Sequence, residues 1–154
     1  MKQLVIYLRG KKLKVDGICW QGHIESGWEN ESGNVSRLDN FITWAHKNKL
    51  EFHITEFQAT IRKDKERQTK WNKNPQNVSE DELKKRMPDQ ANTFSAVLRT
   101  LLMHRNTGII GINFWHLTDN QSQIKDGNMF NEDGTPRPSY YAVRELLENP
   151  PIVN

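Results

Sequence analysis

Cysteine is nearly missing from this chain. Cys19 is the only one in 154 residues, so no disulfide can form within it. Long apolar runs are also lacking. Nothing approaches the roughly 18 consecutive apolar residues of a membrane span, and the sequence implies no membrane partner. The opening stretch from Met1 to Gly10 holds a short apolar run without a small-residue cleavage site, and it does not read as a signal peptide. It leaves localisation open. There is little excess of charge of one sign. The net charge is +3 with basic and acidic residues interleaved, which gives no case for nucleic acid. The five histidines show no His-Glu-x-x-His spacing, and there is no glycine-rich phosphate loop or Gly-x-Ser-x-Gly elbow. Neither a metal nor a cofactor is expected.

Apolar residues are scarce as well, at 35%, with a mean hydropathy of −0.83. The length suits one domain over 1–154 and falls well below the roughly 250 residues of a (β/α)₈ barrel. The composition reads as a lean core, as though some buried surface came from elsewhere.

What is present alternates. Three segments read as strands, 15–21, 51–57 and 109–115, each rich in Ile, Val, Phe or Trp. Helical periodicity marks a stripe at Leu4, Val5 and Leu8 before Gly10. A second stripe runs Leu38, Phe41, Ile42 and Ala45 behind an expected Ser36 N-cap. Ser79-Glu80-Asp81-Glu82 has capping-box spacing for a short helix, and Pro88 reads as the opening of a separate helix through Leu102. A last helix is expected to bury Tyr141, Leu146 and Leu147. Strands alternating with helices argue for a parallel α/β sheet. Residues 62–77 read as a solvated loop, Glu25 and Glu29 as solvated acids, and Cys19 as a small buried residue.

Polar residues gather at the strand C-termini, where parallel α/β folds bind ligands. The first strand ends Trp20-Gln21-Gly22-His23, the second Thr55-Glu56-Phe57-Gln58, and the third Trp115-His116-Leu117-Thr118-Asp119. Glu56 is the sharpest candidate, because a carboxylate at an apolar strand end is costly unless it is paired or put to use. His23 is placed to hydrogen-bond it. Gln21 and Gln58 can fix the imidazole or bind hydroxyls, and Trp115 offers a flat face for a sugar ring. Trp28 and Trp71 fall in loops, and Trp28 is a further sugar-contact candidate.

The segments Val15 to His23, Glu51 to Gln58, Ile112 to Asp119, Phe130 to Asp133 and Arg137 to Ala142 occur in the order found in glycoside hydrolase family 10, and together they resemble that endo-1,4-β-xylanase family. The resemblance implies a partial (β/α)₈ TIM barrel, with three parallel strands and flanking helices that correspond to the family's strands six to eight. It implies retaining hydrolysis of xylan, with Glu56 as nucleophile and His23 orienting it. Gln21, Trp115, Gln58 and Asp119 would be substrate contacts. By the same resemblance the family is usually secreted.

The chain departs from the family in several places. Gln58 stands where the family has an aspartate, His116 where it has a glycine, and Gln123 near a second tryptophan. The acid/base glutamate of the family's fourth strand has no counterpart, so the isolated chain is expected to be inactive. The missing N-terminal barrel half or self-association is expected to complete it. A non-catalytic carbohydrate-binding or partner-completed partial barrel is the alternative.

Overall fold

A computed structural model describes residues 1–67, 69, 72–122 and 124–153. Trp71 and Gln123, both singled out above, lie outside the described residues. Among the described residues the elements run α1 (Lys2–Gly10), β1 (Gly17–Trp20), β2 (His23–Glu25), α2 (Asn34–Lys47), β3 (Glu51–Thr60), α3 (Glu80–Met103), β4 (Ile110–Phe114) and α4 (Pro138–Glu148). The strands form one parallel sheet. β3 is central, β1 and β2 lie in succession along one edge, and β4 lies along the other. The chain is thus an α/β fold of parallel strands and helices.

β3 carries one residue more than its neighbours need. Toward β4 the pairing steps from Ile54↔Ile112 to Phe57↔Phe114, which sets three steps against two. Toward the other edge it steps from Trp20↔Ile54 to His23↔Gln58. The extra residue is a bulge around Thr55 and Glu56, and it reverses which face each later side chain takes. Before the bulge, Phe52 and Ile54 point to the helices. After it, Phe57 and Ala59 do, and all four are buried.

The core lies between this face and α2, α3 and α4. Phe57 and Phe94 meet edge to face at 4.8 Å, and Phe94 stacks on Phe114 at 6.0 Å. Gln90 of α3 is fully buried. Its Nε2 donates to Ala59 O at 2.7 Å and Asp126 O at 3.1 Å, which locks the helix to the end of β3.

Several expectations are corrected. The Ser79 cap forms, accepting from Glu82 N at 3.2 Å, but the helix it opens runs unbroken through Pro88 to Met103. Leu83 on one side and Gln90, Thr93 and Phe94 on the other are all buried, so packing on both sides outweighs the bond that proline removes. α2 starts at Asn34 behind Gly33 (φ 80°) rather than behind Ser36, which lies inside the helix. In α4 only Leu146 of the three expected residues is buried. Tyr141 and Leu147 are more than half exposed on the outer side. Cys19 is exposed, because it lies on the sheet face opposite Ile18.

The loop 62–77 is tied down at Glu66, which is 8% exposed and meets Arg86 Nη1 at 2.6 Å. Glu25 pairs with Arg67 at 2.7 Å, and Glu29 accepts from Thr93 Oγ1 at 2.6 Å, so neither is merely solvated. Among the described residues no helix is long and apolar enough to cross a membrane.

Two outcomes follow from this packing. A Cβ on Gly22 would lie 2.8 Å from Phe57 Cδ2 and 2.9 Å from Ile54 Cγ2. Gly22→Ala should therefore lower the unfolding free energy by about 1–3 kcal/mol in urea titration. The Arg86 guanidinium holds the Glu66 carboxyl below the usual carboxylate range. A depressed folded-state value means that the pair contributes fully above the unfolded value of about 4.3 and loses its contribution as pH falls through the folded value. Glu66→Gln should cost about 1.5–3 kcal/mol at neutral pH, and the gap to the parent should close on acidification.

Candidate active site

The face of the sheet turned away from the helices is polar. Residues paired across the sheet share a face, so Gly17, Cys19, Gln21 and His23 lie there with His53, Gly111 and Trp115. Without the bulge, Glu56 would follow Phe52 and Ile54 toward the helices. With it, the carboxylate emerges on the polar face at the C-terminal end of β3.

There it meets two side chains from the neighbouring edge. His23 Nε2 lies 2.9 Å from Glu56 Oε2, and Gln21 Nε2 donates to Glu56 Oε1 at 3.1 Å. A carboxylate oxygen only accepts, so His23 Nε2 carries the proton in this contact. Each carboxylate oxygen has its own donor, which fixes the plane of the group. The site remains open to solvent, with side-chain exposures of 28% for His23 and 21% for Glu56. The Trp115 and His23 rings stand nearly perpendicular with centroids 5.8 Å apart, and Trp115 is 42% exposed. It is positioned from the opposite edge of the sheet by Trp115 N, which donates to Phe57 O at 3.1 Å. His116 packs against Trp115 at 5.2 Å.

Gln58 and Asp119 do not join this group. Gln58 is 1% exposed and its Oε1 accepts from Ser122 Oγ at 3.3 Å, so it supports the loop beneath the site and offers no surface to a sugar. Asp119 is 2% exposed. Its carboxylate pairs with Arg137 at 2.6 Å and accepts from Asn128 N and Nδ2 at 3.2 and 2.8 Å. Burial pushes this carboxyl above its ordinary value, against the pull of the Arg137 guanidinium. Arg137 also pairs with Asp126, which in turn holds Arg62. This chain of charges stitches the 118–137 loop to the end of β3. Sequence reading missed it because its members lie up to 75 residues apart. The arginine just before the Pro138 that opens α4 was the one local hint.

Among the described residues no group of three His, Cys, Asp or Glu side chains could hold a metal ion. Among the described residues no Asp or Glu other than Glu56 shares a hydrogen bond with Gln21 or His23.

Residues 1–146 match the sequence profile of Glycosyl hydrolase family 10. The chain belongs to that family. Among solved structures, this family 10 chain is similar to native xylanase 10B from Thermotoga maritima. They share 25% identity with a TM-score of 0.68, over 95% of this chain and 40% of that one. It is also similar to xylanase 10B from Thermotoga petrophila RKU-1 in complex with xylobiose, at 26% identity and a TM-score of 0.68, over 96% of this chain and 40% of that one. A third is the endo-1,4-beta-xylanase XylE of Penicillium canescens. Its 19% identity and TM-score of 0.72, over 97% of this chain and 41% of that one, speak to the fold alone. The chain thus spans about two fifths of the length of these xylanases. No curated protein matches it.

The division between the open site and the buried ion cluster can be tested by substitution. Arg137→Met leaves Asp119 buried without its cation and should lower the unfolding free energy by about 3–5 kcal/mol. Glu56→Gln keeps the shape of a solvent-facing group and should change it by less than about 1 kcal/mol. Urea titrations of the two variants beside the parent chain make the comparison.

Proposed function

We propose that this chain is the nucleophile-bearing part of a retaining xylan hydrolase and that its sheet supplies strands six to eight of a (β/α)₈ barrel. The observation that carries the reading is Glu56, held by His23 and Gln21 at the C-terminal mouth of a parallel sheet with Trp115 beside it. Glu56 attacks the anomeric carbon. Its Oε–C1 bond forms as the glycosidic C1–O bond breaks, and water later releases the sugar with configuration retained. His23 and Gln21 orient the carboxylate. Trp115 packs against the sugar at the adjoining position.

The leaving oxygen needs a proton, which a retaining enzyme takes from a second carboxyl group about 5–5.5 Å from the first. We assign that group to further barrel strands that pair with the free edges of β1, β2 and β4. Exposed apolar side chains favour such completion, Leu4 on α1, Ile109 and Leu117 flanking β4, and Tyr141 and Leu147 on α4. Those strands would come from an N-terminal barrel half, since a second copy of the chain could extend the sheet but would bring no counterpart of the acid/base glutamate. The lack of a second carboxyl group at Glu56 is also what a non-catalytic sugar-binding partial barrel would show, and the test below separates the two readings.

A 2,4-dinitrophenyl 2-deoxy-2-fluoro-β-xylobioside separates nucleophile from acid, because its leaving group departs without a proton. Mass spectrometry should find the fluoro-sugar on the peptide containing Glu56 and nothing in Glu56→Gln. An unlabelled chain, or label elsewhere, would remove the nucleophile assignment and favour the binding module. On unmodified xylan the chain alone should release no measurable reducing sugar. Release that disappears in Glu56→Gln would mean that a second carboxyl group acts from within the chain.

A further inference from the structure

A second aromatic groove lies on the helix side of the sheet, behind the polar face. Trp20 alternates with Gln21 along the edge, so while Gln21 turns to Glu56, Trp20 turns with Ile18 toward the helices. There it meets Trp28 from the turn after β2, with ring centroids 5.9 Å apart and planes 31° from parallel. Phe41 of α2 extends this floor, and the three rings line a cavity of ≈ 440 Å³.

The turn carrying Trp28 is fixed in place. Gly27 N donates to Thr93 Oγ1 at 2.8 Å, Thr93 Oγ1 donates to Glu29 Oε2 at 2.6 Å, and Asn34 Nδ2 donates to Trp28 O at 2.8 Å. Thr93 is fully buried on α3, so the half-buried indole stands on backbone that needs no further ordering to receive a ligand.

Two cations border the floor. Arg37 is braced by Ser32 O at 3.2 Å and by Asn34 Oδ1. Lys2 holds its ammonium 5.3 Å from the Trp44 ring centroid and 5.9 Å from that of Phe41. Among the described residues neither cation is ion-paired with a carboxylate. The nearby acid Glu31 is engaged by the Asn34 amide at 3.0 Å, and no lining side chain is acidic. A flat apolar floor with unpaired positive charge at its rim suits a ligand that has both an apolar ring face and a carboxylate. A bare anion would leave the indoles unused, and a neutral sugar would leave the cations unused. The lining offers no carboxyl group to act as nucleophile or acid.

We propose that this groove is a second carbohydrate-binding site for an oligosaccharide bearing a uronate, with pyranose rings packed on Trp20 and Trp28 and the carboxylate held by Arg37 and Lys2. The choice of a saccharide rests on the reading of the Glu56 site. The charge preference rests on the groove alone.

The test uses the full chain and follows its indole N–H resonances by NMR during titration with three ligands. These are a glucuronate-substituted xylotetraose, the unsubstituted xylotetraose and trigalacturonate. The substituted xylotetraose should move the Trp20 and Trp28 resonances. Trp28→Ala should weaken that response about tenfold, while Trp115→Ala should leave it unchanged. Lys2→Gln, a surface change that keeps the fold, should narrow the gap between the uronate ligand and the neutral one, with Arg37 alone left to hold the carboxylate. Comparable binding of trigalacturonate would assign recognition to the carboxylate on any backbone, and weaker binding would assign it to decorated xylan. The proposal is overturned if the neutral ligand binds as tightly, if Trp20 and Trp28 do not respond, or if Trp115→Ala rather than Trp28→Ala abolishes the response. Neutral xylotetraose that fails to move Trp115 would instead count against the Glu56 reading and leave this groove standing.

Discussion

One extra residue in the central strand decides the face on which Glu56 emerges. A strand has a period of two, so an inserted residue exchanges the faces of everything beyond it. Phe52 and Ile54 fill the helix-side core before the bulge, and Phe57 and Ala59 continue it afterwards. Between them Glu56 is released to the opposite face, where His23 and Gln21 wait on the adjoining edge. The same step accounts for the apparent division of that edge into β1 and β2. Gly22 passes the step on the helix side, where Ile54 and Phe57 leave no room for a Cβ.

The two faces then serve different ends. The helix-side face carries the cluster of Phe57, Phe94 and Phe114 and the buried Gln90 that anchors α3. The other face is polar and open, and it holds a carboxylate whose oxygens each have a separate donor. A group so placed gains little for stability, because it is partly solvated and its bonds compete with water. Its value lies in orientation. Asp119 shows the contrasting use of the same side-chain type. It is buried, matched to Arg137 and Asn128, and spent on holding a long loop.

Much of the architecture was legible because it is written in local periodicity. The strand segments, their parallel order, the α2 stripe and the Ser79 cap all follow from side-chain spacing and short-range hydrogen bonding. The errors arose where a distant partner overrode a local signal. Pro88 reads as a helix start, yet burial of Leu83 before it and Phe94 after it keeps the helix whole. Glu25 and Glu29 read as surface acids and Glu66 falls in a stretch that reads as a solvated loop, yet Arg67, Thr93 and Arg86 reach them from other elements. Tyr141 and Leu147 read as core, but they face the outer side of α4.

For the site, the sequence by itself determined which residues stand at the strand ends, and Glu56 and His23 could be paired from that order alone. Only the tertiary structure decided which way they point. Simple alternation from Phe52 and Ile54 would send Glu56 into the helix layer, and the correction depends on pairing with both neighbouring strands, which no local pattern records. Tertiary packing likewise took Gln58 and Asp119 out of the open site and drew Trp20 and Trp28 together behind it. Exposure and partnership depend on what folds against a residue, and that is settled by contacts between segments far apart in the chain.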